Sequence, residues 1–258
     1  MTLTLTLRTQ PPAPVLATSL IPERLRGLNA SAVAALDLRC GGGTVAVGDL
    51  FEVSGAGTEE EKLVLAGDLR RFDWIGAGMS RGEIEVPGDV GAWAGAEMSG
   101  GLLRIFGDAG ARLGAAYPGA RVGMTGGEIV VSGDAGEEAG AGMRRGLVAV
   151  GGQTGPGAGL RMLAGTVIAL GGIGAEAGLG NKRGSLVSGR PVRPLPGYAF
   201  ATRFRAPTLV LALRHVRQLG LTVDDRLLRG SWARWSGDRT ELTRGEILIF
   251  DAEAEETD

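Results

Sequence analysis

The chain has 258 residues, a formal net charge of −2, 46 glycines, one cysteine and one histidine. That charge balance points away from nucleic acid and membrane surfaces, and no apolar run approaches the ~20 residues that span a bilayer. The lone Cys40 excludes an internal disulfide and suits a reducing cytosol, and no charged-then-apolar leader opens the chain, so a cytoplasmic location is expected.

Thr2 to Leu7 alternate strictly between threonine and leucine. This predicts a strand with its leucines on one face, which either covers an edge of the fold or pairs with another subunit. Pro11, Pro12 and Pro14 then mark a turn. Residues 22–28 predict one helical turn, and Asn29 or Ser31 is placed to cap a short helix running to Leu36. Segment 1–41 is therefore read as a strand and cap, because an uncovered strand edge invites aggregation.

Residues 42–189 repeat themselves. Met79, Met98, Met124, Met143 and Met162, continued by Asn181, are spaced 19, 26, 19, 19 and 19 residues apart. The long interval is one period plus seven residues, inserted between Gly114 and Gly127. A glycine follows each of these residues by three places, at Gly82, Gly101, Gly127, Gly146, Gly165 and Gly184. Beyond it come apolar residues at alternate positions: Ile84/Val86, Leu103/Ile105, Ile129/Val131, Val148/Val150 and Val167/Ala169. Alternation of this kind is strand behaviour. Glycine closes each strand at Gly88, Gly107, Gly133, Gly152 and Gly171, followed in the first four by Asp89, Asp108, Asp134 and Gln153. Earlier, less regular turns are read at Val45/Val47 with Gly48-Asp49 and at Leu63/Leu65 with Gly67-Asp68.

A helical repeat would lose about 1 kcal/mol at each interior glycine, whereas glycine suits corners where backbones approach closely. A period near twenty also means that each unit buries its apolar face only by stacking on the next. The expected fold is all-β: a single-stranded, parallel, right-handed β-helix of about seven coils, with the methionines forming an inward column. A small N-terminal cap precedes it and a helix-containing extension follows.

That extension covers 190–258. Pro191, Pro194, Pro196 and Pro207 mark an extended arm, and Pro207 opens a helix carrying Leu209, Val210, Leu213, Val216 and Leu219 up to Gly220. From Arg190 to Thr240 there are ten arginines against Asp224, Asp225 and Asp238. The excess reads either as a solvated, internally paired face or as a docking surface for an acidic partner or a polyanionic ligand. Residues 247–250 predict a last strand, and 252–258 an acidic, mobile tail.

The residues offer little chemistry. With only His215 and Cys40, no multi-His or multi-Cys metal site can be built, and no catalytic or metal residue is assigned. A Ser-His-Asp arrangement would need His215, whose place on an amphipathic helix favours a surface or interface role. The Gly-Asp corners never complete a calcium-binding nonapeptide and read as turn geometry. Glu137-Glu138 reads as a solvated corner, the methionine column as core, and Lys182-Arg183 completes no phosphate loop. A ladder of acidic and basic residues on one outer face, as in β-helix enzymes, is not visible.

The repeated Gly-x-x-Gly-x-x-x-Gly coil resembles the glycine-patterned β-helix of glutamate synthase C-terminal domains and of the C subunit of formylmethanofuran dehydrogenase. The flanks resemble the second: the Leu3 to Leu7 start, Leu20-Ile21-Pro22, the stretch 47–55, Leu195-Pro196-Gly197, Trp235-Ser236-Gly237-Asp238-Arg239 and Gly245-Glu246-Ile247-Leu248. The resemblance implies a non-catalytic scaffold subunit of a hetero-oligomeric formyltransferase/hydrolase complex. Such a complex moves a formyl group from formyl-tetrahydromethanopterin to a methanofuran-type carrier and releases formate. The implied partners are formyltransferase and amidohydrolase-like hydrolase subunits, which hold the carrier and the metals, while this chain binds no cofactor. Arginine bias and the single cysteine favour this bacterial complex over a tungsten or molybdenum formylmethanofuran dehydrogenase. A free-standing β-helix enzyme acting on an acidic small molecule is the other reading. In the scaffold reading the proline arm and basic C-terminal region grip a partner, and the arginines are placed to steer a polyanionic carrier.

Overall fold

The computed structural model describes residues 2–57 and 61–251. In chain order the N-terminal part holds strands β1 (Leu3–Leu7) and β2 (Val15–Leu16), helices α1 (Pro22–Leu25) and α2 (Ala30–Ala34), strands β3 (Asp37–Cys40) and β4 (Gly43–Ala46), helix α3 (Val47–Leu50) and strand β5 (Phe51–Ser54). The repeats supply β6 (Lys62–Ala66), β7 (Phe72–Asp73), β8 (Glu83–Val86), β9 (Ser99–Ile105), β10 (Gly126–Val131), β11 (Leu147–Val150), β12 (Thr166–Ala169) and β13 (Ser185–Ser188). The chain ends with β14 (Ala199–Phe204), α4 (Pro207–Gln218), α5 (Asp225–Arg229), β15 (Ser231–Gly237) and β16 (Gly245–Asp251). The expected all-β class holds. The acidic tail, 252–258, lies outside the described residues.

Each repeat lays one strand parallel on the strand before it, in the register the period demands: Ile84 on Leu103, Leu103 on Ile129, Ile129 on Val148, Val148 on Val167 and Val167 on Leu186. A second ladder of parallel bridges runs through Leu69, Val90, Ala109, Ala135 and Thr154. A third row of bonds joins the corners, as Gly114 N donates to the carbonyl of Ala94 and Gly159 N to that of Ala139. Met79, Met98, Met124, Met143 and Met162 are fully buried within this stack, as is Asn181 where the column ends.

The glycine-aspartate corners have a more specific cause than turn preference. Asp89, Asp108 and Asp134 each accept a hydrogen bond through Oδ1 from an amide one repeat later, at Asp108, Asp134 and Gln153 respectively, all at 2.8 Å. A Cβ on the glycine before each of those amides would collide with the carboxylate below it and with backbone. Glycine is therefore needed at these positions for clearance, although its φ there is not in the left-handed region.

The sheet as a whole is mixed, so the expectation of one strictly parallel sheet is corrected. The twelve strands run β14-β15-β16-β13-β12-β11-β10-β9-β8-β6-β1-β5, and both ends are antiparallel. The segments outside the repeats imitate repeats. Strand β1 pairs parallel with β6, with Leu3 and Leu5 buried, and β2 pairs parallel with β7. At the far end β16 stacks parallel on β13. A second correction concerns Val45 to Asp49, read as an early turn of the stack. Strand β4 instead pairs antiparallel with β3, and Val47–Leu50 is helical, so parallel stacking by the repeats begins at Lys62. Asn29 caps α2 as expected, accepting from Ala32 N at 2.9 Å.

The alternate positions of the later strands face away from the methionines yet are also buried. Val130, Ala149, Ile168 and Val187 form a second core with Leu209, Leu213 and Val216 of α4, Leu227 of α5, Trp232 and Phe250. The C-terminal region thus covers the outer face of the later strands. Five of its arginines are paired within the chain: Arg203 with Asp251, Arg217 and Arg229 with Asp225, Arg226 with Asp224, and Arg234 with Glu246.

Substitutions at the corner and in the outer core test both sets of contacts. Replacing Gly133 by alanine should cost about 1–3 kcal/mol in urea unfolding, as overpacking does, and Asp108→Ala about 1 kcal/mol for one lost hydrogen bond. Truncating the fully buried Leu213 to alanine should cost about 2–5 kcal/mol and expose the outer core to a hydrophobic dye.

Candidate functional site

One corner of each repeat carries a residue with left-handed backbone where glycine is the usual solution. Trp74, Trp93, Arg112 and Glu138 occupy this phase, with φ of 66°, 63°, 64° and 57°. Such geometry costs on the order of 1–3 kcal/mol per residue, and here the side chains offset it by stacking. The indoles of Trp74 and Trp93 lie 4.7 Å apart and 4° from parallel. The Arg112 guanidinium sits 4.8 Å from the Trp93 ring and bonds the Glu138 carboxylate at 3.0 Å. Tyr117 packs edge-on against Trp74 at 4.8 Å.

Tyr117 begins the seven-residue insertion, which leaves the stack and stands beside it. Its amide donates to Glu97 Oε1 at 3.0 Å. Burial, reinforced by the Glu97 charge, pushes the Tyr117 phenol above its ordinary value. Between the insertion and the turn at Thr240-Glu241 lies an open groove of about 860 Å³. Its apolar surface comes from Leu160, Leu163 and Leu179, and its charges include Arg121, Arg161 and Lys182. A smaller hollow of about 370 Å³ shares Leu163 and Lys182 and adds Arg144, Arg145 and Arg183.

The groove's far wall is held by a buried polar cluster. Asp238 is 2% exposed and accepts from Gly180 N at 3.1 Å and Thr240 N at 3.0 Å. Desolvation alone would raise its pKa, but the Thr240 and Gly180 amides prevail and hold it below the ordinary carboxylate value. Nearby, Tyr198 donates to the Gly178 carbonyl at 2.9 Å, and burial pushes its pKa up to about 12. Asn181 bonds both the amide and the carbonyl of Gly184.

The residues singled out in the sequence do not converge. His215 lies on α4 and meets Glu128 of the sheet at 2.6 Å, a contact between cover and stack. Cys40 bonds the Ala13 carbonyl at 3.5 Å at the opposite end of the chain. Glu138 is taken up by Arg112 while Glu137 is exposed. Among the described residues no group of three or more His, Cys, Asp or Glu is placed to hold a metal ion. An outer-face charge ladder, which the sequence did not reveal, does exist: Lys62 lies 2.9 Å from Glu85, and Arg104 lies 3.6 Å from Glu83. The groove was missed as well. Its legible signal is the pair of basic dipeptides, Arg144-Arg145 and Lys182-Arg183, at one phase two repeats apart.

These features define a repeat-built β protein with a cationic groove on its flank and no metal-ligand cluster among the described residues. No protein-family model matches the chain. It is similar to the C subunit of the formyltransferase/hydrolase complex Fhc of Methylorubrum extorquens, 36% identical over 88 residues, which is 34% of this chain and 32% of that relative. It is also similar to the C subunit of the molybdenum-containing formylmethanofuran dehydrogenase 1 of Methanothermobacter marburgensis, 31% identical over 78 residues, or 30% of this chain and 20% of that relative. The aligned segments thus span only about a fifth to a third of these relatives. The structural likeness is far more extensive. A chain in the crystal structure of the formyltransferase/hydrolase complex FhcABCD from Methylorubrum extorquens, in complex with methylofuran, matches with a TM-score of 0.82 at 31% identity, over 95% of this chain and 98% of that one. The chain belongs to the family of formylmethanofuran dehydrogenase C subunits and their relatives.

Asp238 gives this region a pH signature. A depressed folded pKa stabilises above the unfolded value and loses that contribution as pH falls through the folded one. The stability gap between wild type and Asp238→Asn should therefore be constant above about pH 5 and shrink below about pH 4, read from urea midpoints across that range.

Proposed function

We propose that this chain is the C subunit of a formyltransferase/hydrolase complex, working as a rigid, non-catalytic scaffold in one-carbon metabolism. The observation that carries the reading is the end-to-end structural match to a chain of FhcABCD at 31% identity. The match to a molybdenum formylmethanofuran dehydrogenase subunit keeps a redox complex as the second reading, over the shorter stretch of 78 residues. A free-standing enzyme is the third, to which the outer charge ladder lends its one observation.

The scaffold role follows from mechanics. We read the repeats as a right-handed parallel β-helix, extended at one end by β1 and at the other by β16. Nine parallel strands in eight steps of ~4.8 Å make a rod about 38 Å long, and its rows of backbone bonds leave it little freedom to bend. Such a rod holds two partner subunits at a set separation, so that a tethered carrier meets both at high effective concentration. The carrier would be of the methanofuran type, bound with the metals on formyltransferase and hydrolase partners, and the assembly would work in the cytoplasm. Among the described residues no helix is long and apolar enough to cross a membrane.

Co-expression tests this directly. The chain should co-purify at fixed stoichiometry with formyltransferase and hydrolase subunits, and the assembled complex should release formate from formyl-tetrahydromethanopterin while the isolated chain does not. Turnover by the isolated chain, or failure to join those subunits, would refute the scaffold reading.

A further inference from the structure

The groove beside the insertion combines features that the scaffold's interior does not require. Arg121, Arg144, Arg145, Arg161 and Arg183 are exposed and form no ion pair among the described residues. Arg112, Arg121, Arg161 and Lys182 line the groove and Arg144, Arg145 and Arg183 the hollow that adjoins it, seven cations on one flank of a chain whose net charge is −2, where the lining carboxylates are Glu138 and Glu241. Glu138 is occupied by Arg112, and Glu241 lies 3.7 Å from Lys182. In the C-terminal cover five arginines are paired within the chain, whereas the groove and the hollow beside it set cations with no ion pair among the described residues next to exposed leucine.

The floor is equally specific. Leu179 is 46% exposed, one of five large hydrophobic side chains so exposed among the described residues, and Leu160 and Leu163 lie beside it. A ligand that only neutralised charge would leave these apolar side chains in water. An extended polypeptide with carboxylates on one side and aliphatic side chains on the other satisfies both, its charges meeting the arginine rim and its apolar side entering the leucine floor. The aromatic column makes the wall rigid: both faces of Trp93 are covered, by Trp74 and by Arg112, so it offers no open ring for a planar ligand. The Asp238 bonds to Gly180 and Thr240 fix the opposite wall, leaving a preformed channel.

We propose that this groove is where the scaffold grips a partner subunit, through an acidic, leucine-bearing extended segment of that subunit. The proposal rests on the scaffold reading above and locates one of its interfaces on the repeat corners rather than on the C-terminal arm.

Charge reversal tests it. Arg121→Glu and Arg161→Glu in the groove, combined with Arg183→Glu in the adjoining hollow, break no ion pair among the described residues, so the variant should fold with unchanged circular dichroism and melting. A control reverses Arg214 on α4. Two readouts are needed. In titrations of the purified full-length chain with a fluorescein-labelled peptide of alternating Glu and Leu, the triple variant should bind at least tenfold more weakly than wild type and the control. Binding should also weaken as salt rises. On co-expression with the formyltransferase and hydrolase subunits, the variant should lose one partner while the control keeps both. If wild type assembles and the triple variant assembles as well, the groove proposal falls and the scaffold reading stands. If wild type itself joins neither partner, it is the scaffold reading that fails. A glutamate homopolymer that competes as strongly as the mixed peptide would overturn the proposal in favour of a purely anionic ligand.

Discussion

Successive repeats approach so closely that many positions have no room for a side chain. The main chain of one repeat donates to the carbonyls or aspartates of its neighbour along strand, bridge and corner, and at Gly107, Gly133 and Gly152 any Cβ would meet backbone. Everything else in the molecule is arranged around that contact. The buried methionines fill the interior of the stack, since an unbranched thioether side chain adapts to an irregular core. The aspartates occupy corner positions because an Oδ1 reaches an amide that a strand bond does not serve.

A stack built in this way is open at both ends and on its outer face, and the rest of the chain closes it. Strand β1 supplies a repeat-like strand at one end and β16 at the other, each then covered by antiparallel strands. Antiparallel closure suits an end, because the terminal strand no longer has to continue the parallel stack and exposed edges are what stacked sheets otherwise risk. On the outer face the chemistry changes along the stack. The early strands carry Lys62, Glu83, Glu85 and Arg104, which neutralise one another facing solvent, while the later ones carry Val130, Ala149, Ile168 and Val187 beneath α4. The sheet therefore has a polar half and a half made apolar, which its own C-terminal segment covers.

Function follows from this division. A stack held by backbone bonds tolerates change at its corners, and there the chain departs from glycine: Trp74, Trp93 and Arg112 accept left-handed backbone and stack, and the seven-residue insertion turns a regular corner into a wall. The groove between that wall and the Asp238 turn, with the hollow beside it, gathers cations from several repeats, Arg144-Arg145 and Lys182-Arg183 standing at one phase two repeats apart. A repeat protein creates such a surface readily, because each repeat delivers the same position to the same side.

The repeat, the all-β class, the buried methionine column and the helix opened by Pro207 were legible in the residues, because period, alternation and glycine placement are local properties that survive any arrangement of the rest. The family resemblance was legible for the same reason, through short motifs on both flanks of the repeats. The helical identity of Val47–Leu50 was not marked by any spacing, and the insertion of β1 between β5 and β6 and the stacking of β16 on β13 depended on pairings between segments tens of residues apart. A spacing rule applied to one segment does not see them. The outer apolar column at Val130 to Val187 stood in the sequence as alternate strand positions, but only the docking of α4 gave it meaning. Likewise Arg144-Arg145 and Lys182-Arg183 were visible as dipeptides, and only the parallel stacking of the repeats, which superposes residues two repeats apart, made them one surface.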